Sequence, residues 1–533
     1  MDRFDFIIVG AGSAGCVLAN RLTESGKHKV LLLEAGPDTE SFWVRTPAGV
    51  SFLFADPKIN WMYQSAEEPT LNNRRIYHPR GKLMGGTSAI NGMVYIRGNS
   101  WDYDHWAAEG NVGWSAADVL PYFRRIETNR DFVDQYHGAT GPLQVARGQF
   151  RIPVVDAFIQ SGVALGLPRN DDFNGPEQEG AGTYQFTIAD GVRSSSARCY
   201  LQPARQRANL ELRDQAMVSS LIIENGRATG VRYTRAGGAP EEAYAGEVLL
   251  CGGAINSPQL LMLSGIGPAG HLKDNGIPVV HDLPGVGCNL QDHVSVPLNY
   301  ETRPGMSLNK ALSGWRKYYN GARYLLTKSG PLSIGSSQAA AFVRTDPQAP
   351  APDIQVSFRA WSFDFTSTGR LLMHPYPGVQ AVAILLRPQS RGTLTLNPDD
   401  PRKAPVMRFN YLTAEQDRDT LVRGVQWIRK TARTGPFGAA VVREREPGGA
   451  VMSDEEVLAY IRRSALTVYH PSGTCKMGTG PDAVLDPRLR VRGMRGLRVV
   501  DASIMPTVVS GNTNAPTIMI AERAADLILE DAA

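Results

Sequence analysis

The sequence predicts an α/β fold in which a parallel, Rossmann-like sheet with covering helices is joined to an α+β portion carrying a mostly antiparallel sheet. Three observations carry this reading. The chain opens with an apolar run at 6–9, the turn Gly10-Ala11-Gly12-Ser13-Ala14-Gly15, a helical stretch at 16–22 and a second apolar run at 29–33. That is a βαβ unit of about 30 residues, and continuous apolar runs mark strands covered on both faces. Buried-strand text returns at 247–251 and 497–501. From about 300 to 465 the texture changes, with strand-like runs (354–358, 379–386, 393–396) among helical ones (413–432, 453–463). The expected division is a discontinuous dinucleotide portion, 1–155, 195–300 and 465–533, and a substrate portion, 156–194 and 301–464.

The remaining elements follow in order. Residues 36–100 are rich in Gly, Pro and Asn with little periodicity, as expected of chain wrapped around a ligand. Ser115 and Asp118 form a capping box before a helix whose face is Val119, Phe123 and Ile126. A second helical face, Val155, Phe158, Ile159 and Val163, stops at Gly166. Strands at 218–223 and 229–233 flank the two-residue turn Asn225-Gly226. Ser257 as N-cap and Pro258 as first helical residue open a helix ended by Gly265, and 515–529 form the last, amphipathic helix.

Composition excludes several classes. Among 533 residues, 42% are hydrophobic and 20% charged, which is ordinary globular usage. A net charge of +4 without a basic arm argues against nucleic acid. Five cysteines without a Cys-x-x-Cys pair indicate neither a disulfide framework nor zinc, and His78, His105 and His137 sit in no metal-ligand pattern. No metal is expected. The first residues lack a signal-peptide layout and no apolar run reaches about 18 residues, so no spanning segment is expected. The expected location is the cytoplasm, with the periphery of the inner membrane as the alternative. The oligomeric state is left open.

The excess of glycine, 54 of 533, has a chemical reading. In Gly10-x-Gly12-x-x-Gly15, Gly10 allows the tight turn and Gly12 lets a pyrophosphate approach the backbone. Gly15 lets helix and strand pack closely, and the helix N-terminus offers free N–H groups to phosphate. Glu34 stands 34 − 12 = 22 residues after the middle glycine, where a carboxylate can accept from ribose hydroxyls. These features call for a dinucleotide without separating FAD from NAD.

Two further glycine-rich stretches separate them. Gly81-Lys82-Leu83-Met84-Gly85-Gly86-Thr87-Ser88-Ala89-Ile90-Asn91-Gly92-Met93 is one, and Gly253-Ala254-x-x-Ser257-Pro258 through Gly267 is the other. With His470-Pro471-Ser472-Gly473-Thr474-Cys475-Lys476-Met477-Gly478, Val500-Asp501-Ala502-Ser503 and Asn512-Thr513-Asn514-Ala515-Pro516-Thr517, they run in order along nearly the whole chain. The sequence thereby resembles the glucose–methanol–choline (GMC) oxidoreductases, with Met84 departing from the usual residue.

The resemblance implies FAD. Gly10, Gly12, Ser13, Ala14, Gly15, Glu34 and Ala35 belong to the first cradle. Gly85, Thr87, Ser88, Asn91, Gly92, Met93 and Val94 lie along the flavin, and the Val218 backbone reaches the adenine. Gly253, Asp501, Ala502, Pro516 and Thr517 complete the set, Asp501 and Ala502 beside the pyrophosphate and ribityl chain. Ile90 stands where some relatives carry the His that tethers the flavin, so the FAD is expected to be non-covalent.

Alcohol oxidation removes a hydroxyl proton and a carbon-bound hydride, and histidine is the natural base near neutrality. The resemblance implies His470 as that base and Asn514, 514 − 470 = 44 residues on, as its partner. Asn514 also reads as the N-cap of the last helix, whose dipole would favour an anionic reduced flavin. Val468, Tyr469, Trp361 and Phe363 are expected to line the substrate pocket. Asn289-Leu290-x-Asp292-His293 reads as structural hydrogen bonding, 388–392 as a turn, and Cys475 as packed rather than reactive.

The expected function is FAD-dependent oxidation of a primary alcohol, apolar, aryl or furanic, to the aldehyde, with oxygen or another carrier as electron acceptor. A choline-like or polyol substrate is the alternative. An FAD-containing hydroxynitrile lyase is the alternative of another class.

Overall fold

The computed structural model describes residues 3–148, 150–366 and 369–532. Its first large sheet runs in the order Leu210–Arg213, Val30–Leu33, Arg3–Val9, Pro240–Leu250, Arg227–Arg235, Ala216–Glu224, with Leu497–Val499 also against Pro240–Leu250. The first four strands in this order pair in parallel, with Ile7 set against Leu31 and Val248. The runs Phe6-Ile7-Ile8-Val9, Val30–Leu33 and Val248-Leu249-Leu250 are apolar throughout and buried, as strands covered on both faces require, whereas Leu210–Arg213 at the edge is only half-buried. The last two strands form the antiparallel hairpin, and its turn residues Asn225 (φ 49°) and Gly226 (φ 71°) both adopt the positive φ that such turns need.

Helix Ser13–Thr23 packs against the last helix, Asn514–Ala532, and Arg21 spans them with paired bonds of 2.9 Å to Glu522. The capping box at Ser115 and Asp118 forms, and helix Ala116–Ile126 buries Val119, Phe123 and Ile126. Helix Pro153–Ala164 ends before Gly166, at φ 97°.

One helix start differs from the expectation. The helix begins at Gly253 and runs to Leu263, so Ser257 and Pro258 lie inside it. Ser257 donates instead to Asp501 Oδ2 at 2.6 Å. Pro258 cannot donate to the Ala254 carbonyl four residues back. Thr474 Oγ1 donates to that freed carbonyl at 2.7 Å. The proline thus opens a docking point for the segment that follows His470.

The second large sheet is antiparallel, in the order Val441–Glu446, Val294–Thr302, Gly378–Leu385, Ile354–Arg359, Ala339–Val343, Gly180–Thr183, with Leu466–Thr467 also on Val294–Thr302. Strand alternation divides its faces. Ile354, Val356 and Phe358 are buried, Phe358 stacking on Phe158 at 4.4 Å. Gln355, Ser357 and Arg359 alternate with them and line a large cavity. Residues 36–100 form only short elements, several of which line the same cavity, and no helix among the described residues is long and apolar enough to cross a membrane.

Candidate active site

The glycine turns leave no room for side chains. A Cβ at Gly10 (φ 102°) would lie 2.6 Å from the Cys251 carbonyl oxygen, and one at Gly15 would lie 1.9 Å from that of Gly10. The second glycine-rich segment folds directly onto the first: Gly85 N donates to Ala11 O at 2.7 Å, and a Cβ on Gly86 would stand 2.7 Å from Gly12 Cα. No side chain caps helix Ser13–Thr23, so its first N–H groups remain available to an anion. Glu34 is buried and accepts from Ala11 N and Gly36 N, both at 2.9 Å, which leaves each oxygen a second lone pair. Burial pushes its pKa up to about 7.

One cavity of about 1610 Å³ is lined by this cradle and by the second sheet. Ordinary ligand pockets hold roughly 300–1,000 Å³, so there is room for a dinucleotide and a second molecule. Of the residues expected at the cofactor, Gly10, Gly12, Ser13, Ala14, Glu34, Ala35, Thr87, Asn91, Gly92, Met93, Val94, Val218, Gly253, Asp501, Ala502 and Thr517 line it. Gly15, Gly85, Ser88 and Pro516 do not. Gly15 faces the strand, as its packing role requires. Gly85 sits in a turn at φ 94°, and Ser88 is spent within the chain, donating to Gly85 O at 2.6 Å and accepting from Ser196 N at 3.0 Å. Pro516 is buried in the first turn of the last helix. Asp501 lines the cavity, yet its carboxylate is engaged by Gly253 N, Ser257 Oγ and Ser503 N. Trp361, Phe363, Val468 and Tyr469 all line the cavity, with Phe54 edge-on to Tyr469 at 5.3 Å.

His470 also lines it. Tyr469, just before, holds the left-handed conformation at φ 69°, costly for a side chain of that size. Its backbone is held on both sides: Tyr469 N donates to Thr467 Oγ1 at 2.7 Å and Arg80 Nη1 donates to Tyr469 O at 2.7 Å. The buried Asp292 carboxylate accepts from His470 N at 2.8 Å, His293 N at 2.9 Å and the Tyr411 hydroxyl at 2.5 Å. Burial pushes the Asp292 pKa up to about 6.

The partner of His470 is not the expected one. Asn512 Nδ2 lies 3.2 Å from His470 Nε2, whereas Asn514 Oδ1 accepts from Ser13 Oγ at 2.8 Å. Asn514 is the first residue of the last helix, whereas Asn512 lies outside it, before a bend at Thr513. Asn514 faces the glycine turn, still beside the cavity, while Asn512 faces the imidazole. Nor is Asn514 the helix N-cap, since the helix already includes it.

His293 was missed as part of the site. Its Nδ1 lies 2.9 Å from His470 Nδ1, and its Nε2 lies 3.1 Å from the Leu386 carbonyl oxygen. A carbonyl only accepts, so His293 Nε2 carries the proton and its Nδ1 is bare. His470 Nδ1 must then carry a proton and donate to it. That leaves His470 Nε2 as an acceptor beside the Asn512 amide. Burial holds the His293 pKa down to about 4 and takes that of His470 well below the usual histidine value, His293 and Arg80 adding to the latter effect. The imidazole is thus neutral at neutral pH, with its free lone pair fixed on one nitrogen.

The other histidines lie elsewhere. His137 bonds Glu127 and Asp172, each at 2.8 Å, through its two ring nitrogens, and Asp134 completes a cluster there. With both nitrogens donating to carboxylates, the ring is an imidazolium in an ion-pair network, its pKa raised to about 9. Cys475 is fully buried and its thiol is pushed up by burial.

A dinucleotide cradle that shares a cavity with a neutral, oriented imidazole defines an oxidoreductase. The chain belongs to the GMC oxidoreductase family, whose amino-terminal part it matches over residues 4–295 and whose carboxy-terminal part it matches over 388–521. It is 44% identical over 534 residues to the oxygen-dependent choline dehydrogenase of Pseudomonas aeruginosa, covering 99% of this chain and 95% of the relative. It is 42% identical over 542 residues to the mitochondrial choline dehydrogenase of Homo sapiens, covering 99% and 90%. Among solved structures, pyridoxine 4-oxidase from Mesorbium loti superposes with a TM-score of 0.89 at 31% identity, covering 99% of each chain. A fungal aryl-alcohol oxidase superposes at 0.86 with 26% identity, covering 100% of each. GMC oxidoreductases bind FAD, and the two interlocked glycine turns, the uncapped helix end and the Glu34 carboxylate fit that group.

Proposed function

We propose that this chain oxidises a primary alcohol to the aldehyde, with His470 as the base. The observation that carries the reading is the bond chain Leu386–His293–His470–Asn512, which leaves a bare imidazole nitrogen beside an amide donor in the cavity. The first turn of helix Ser13–Thr23 would hold the pyrophosphate of FAD, Glu34 the ribose, Val218 the adenine and residues 87–94 the flavin ring. Bound FAD supplies an acceptor for the hydride. The chain's own residues do the rest. His470 Nε2 takes the hydroxyl proton, and Asn512 Nδ2 donates to the substrate oxygen as its negative charge grows. Met93, Val94, Val468 and Tyr469 exclude water around the carbinol. The FAD is held non-covalently: the tether position is Ile90, fully buried and without a nucleophilic atom. Acid precipitation should leave all the flavin in the supernatant.

The apolar wall of Phe54, Trp361, Phe363 and Phe365 supports an apolar, aryl or furanic alcohol. The choline dehydrogenases among its relatives support a second reading, a choline-like alcohol. Anaerobic mixing of the holoenzyme with an alcohol panel tests the proposal. The expected result is bleaching of the oxidised flavin band with one aldehyde formed per flavin. Substrate cleavage with the flavin still oxidised would make the protein a lyase and overturn it.

A further inference from the structure

The wall of the cavity formed by the second sheet is ordered in rows. Strand register sets Ser295, Ile384 and Gln355 side by side, then Pro297, Val382 and Ser357, then Asn299, Gln380 and Arg359. The His470 end of the cavity is at the first row, because Leu466 pairs with Ser295 and Val468 N donates to His293 O. The third row lies four residues further along the strand, roughly 13 Å away at about 3.3 Å per residue.

That third row carries a cation with no anion. Arg359 lines the cavity, and its guanidinium donates through Nε to Ser337 Oγ at 3.2 Å and through Nη1 to Gln380 Oε1 at 2.6 Å, 5.3 Å from the Phe363 ring centre. It makes no ion pair among the described residues, and its Nη2 has no hydrogen-bond partner among them. The Gln380 amide passes on to Asn299, and Asn299 to Glu446, so the carboxylate reached through these bonds is two amides away. Among the described residues, three carboxylates line the cavity. Glu34 and Asp501 are engaged in the glycine turns, and Asp364 is 57% exposed beside His374. A guanidinium taken from water and given only neutral partners is costly, and an anion brought by a ligand would relieve that cost.

We propose that Arg359 is a specificity site for a carboxylate at the far end of the alcohol, so that the preferred substrates are ω-hydroxycarboxylates whose two ends are on the order of 10 Å apart. This rests on the alcohol-oxidising reading and names its substrate class. The apolar body of such a molecule lies along the aromatic wall, with its carbinol at His470 and its carboxylate in the planar fork of Arg359. A quaternary ammonium in the same cavity would meet a cation instead.

The test compares ω-hydroxydecanoate with decanol and with choline on the holoenzyme. Non-oxidisable decanoate is titrated separately, read through the flavin spectrum. The hydroxy acid should exceed decanol in kcat/KM by at least about tenfold, mostly through KM, consistent with a charge-assisted pair. In Arg359→Met that ratio should fall by about the same factor, and decanoate should bind about tenfold more weakly. Arg359→Lys, which keeps the charge but not the fork, should fall between them, and it serves where the methionine variant does not fold. Equal kcat/KM for hydroxy acid and decanol, or a ratio and a decanoate affinity unchanged in Arg359→Met, would overturn the proposal, as would choline outperforming both. If no alcohol bleaches the flavin, the oxidation reading fails, while the decanoate titration still decides the anion site.

Discussion

Replacing His293 with leucine removes the one acceptor that fixes the proton of His470 on Nδ1. Both rings are buried, His293 at 0% and His470 at 8% exposure, so water does not replace the lost bond freely. In the variant the Nδ1–H is stranded, at a cost of about 1–3 kcal/mol for a buried donor without a partner. His470 escapes that cost by moving its proton to Nε2 or by rotating, and in either case the lone pair facing Asn512 is gone. At about 1.4 kcal/mol per factor of ten, the competent form is depleted roughly 5- to 150-fold. The expected rate of anaerobic flavin reduction falls by that factor. Flavin content, which does not depend on the tautomer, stays near that of the wild type. His293→Gln, whose amide oxygen can accept from Nδ1–H, should recover part of the rate. A leucine variant that binds FAD and reduces it at the wild-type rate would refute the tautomer argument. So would a glutamine variant no better than leucine.

Asn512→Ala should slow flavin reduction by about 100-fold, the scale of one lost donor to a developing oxyanion. Asn514→Ala should instead cost only about 1 kcal/mol of stability, through its bond to Ser13, so comparing the two variants in the same stopped-flow and thermal-melt assays separates the roles. Because the base must be neutral and burial holds the His470 pKa below its usual value, the acid limb of kcat/KM should lie below pH 6.5. A rate profile flat from about pH 8 to 6.5 is expected, and a limb at or above 6.5 would speak against His470 as the titrating group. Gly86→Ala would drive a methyl group into Gly12, so the variant should purify with little flavin, read from its absorbance ratio. His137 is protonated in the folded state up to about 9, above the ordinary histidine value of 6.5. Its ion pairs with Glu127 and Asp172, near Arg97, therefore stabilise the fold fully below pH 6.5, and that stability is lost as pH rises toward 9. Melting curves across that range should show a loss on the order of 1–2 kcal/mol, absent in His137→Gln.

Features set by local sequence were legible before any coordinates. The opening βαβ unit, the Asn225-Gly226 hairpin and the Ser115 capping box depend on residues within a few positions of each other, and each forms where its pattern lies. The helix at 253 departs from its local pattern for the converse reason. Ser257-Pro258 is a good local start, but Asp501, 244 positions away, takes the serine, and Thr474 takes the carbonyl that the proline leaves free. The same distinction runs through the site. His470 could be found because its neighbours in sequence carry a recognisable motif. His293 could not be told from a buried structural histidine, because what makes it matter is a contact 177 positions away. The choice between Asn512 and Asn514 turned on where a helix begins, the least legible feature of any element. Arg359 is a further step removed. Its neighbours in sequence, Phe358 and Ala360, are core residues, and nothing beside it marks a cation without a counter-ion. That only emerges once three strands are in register and the acids lining the cavity are seen to be spent elsewhere. The cradle and His470 thus lie in contiguous motifs, while the cavity wall of the second sheet is assembled from side chains on distant strands, and under the specificity proposed for Arg359 the choice of alcohol rests with those few positions despite the overall similarity to choline dehydrogenases.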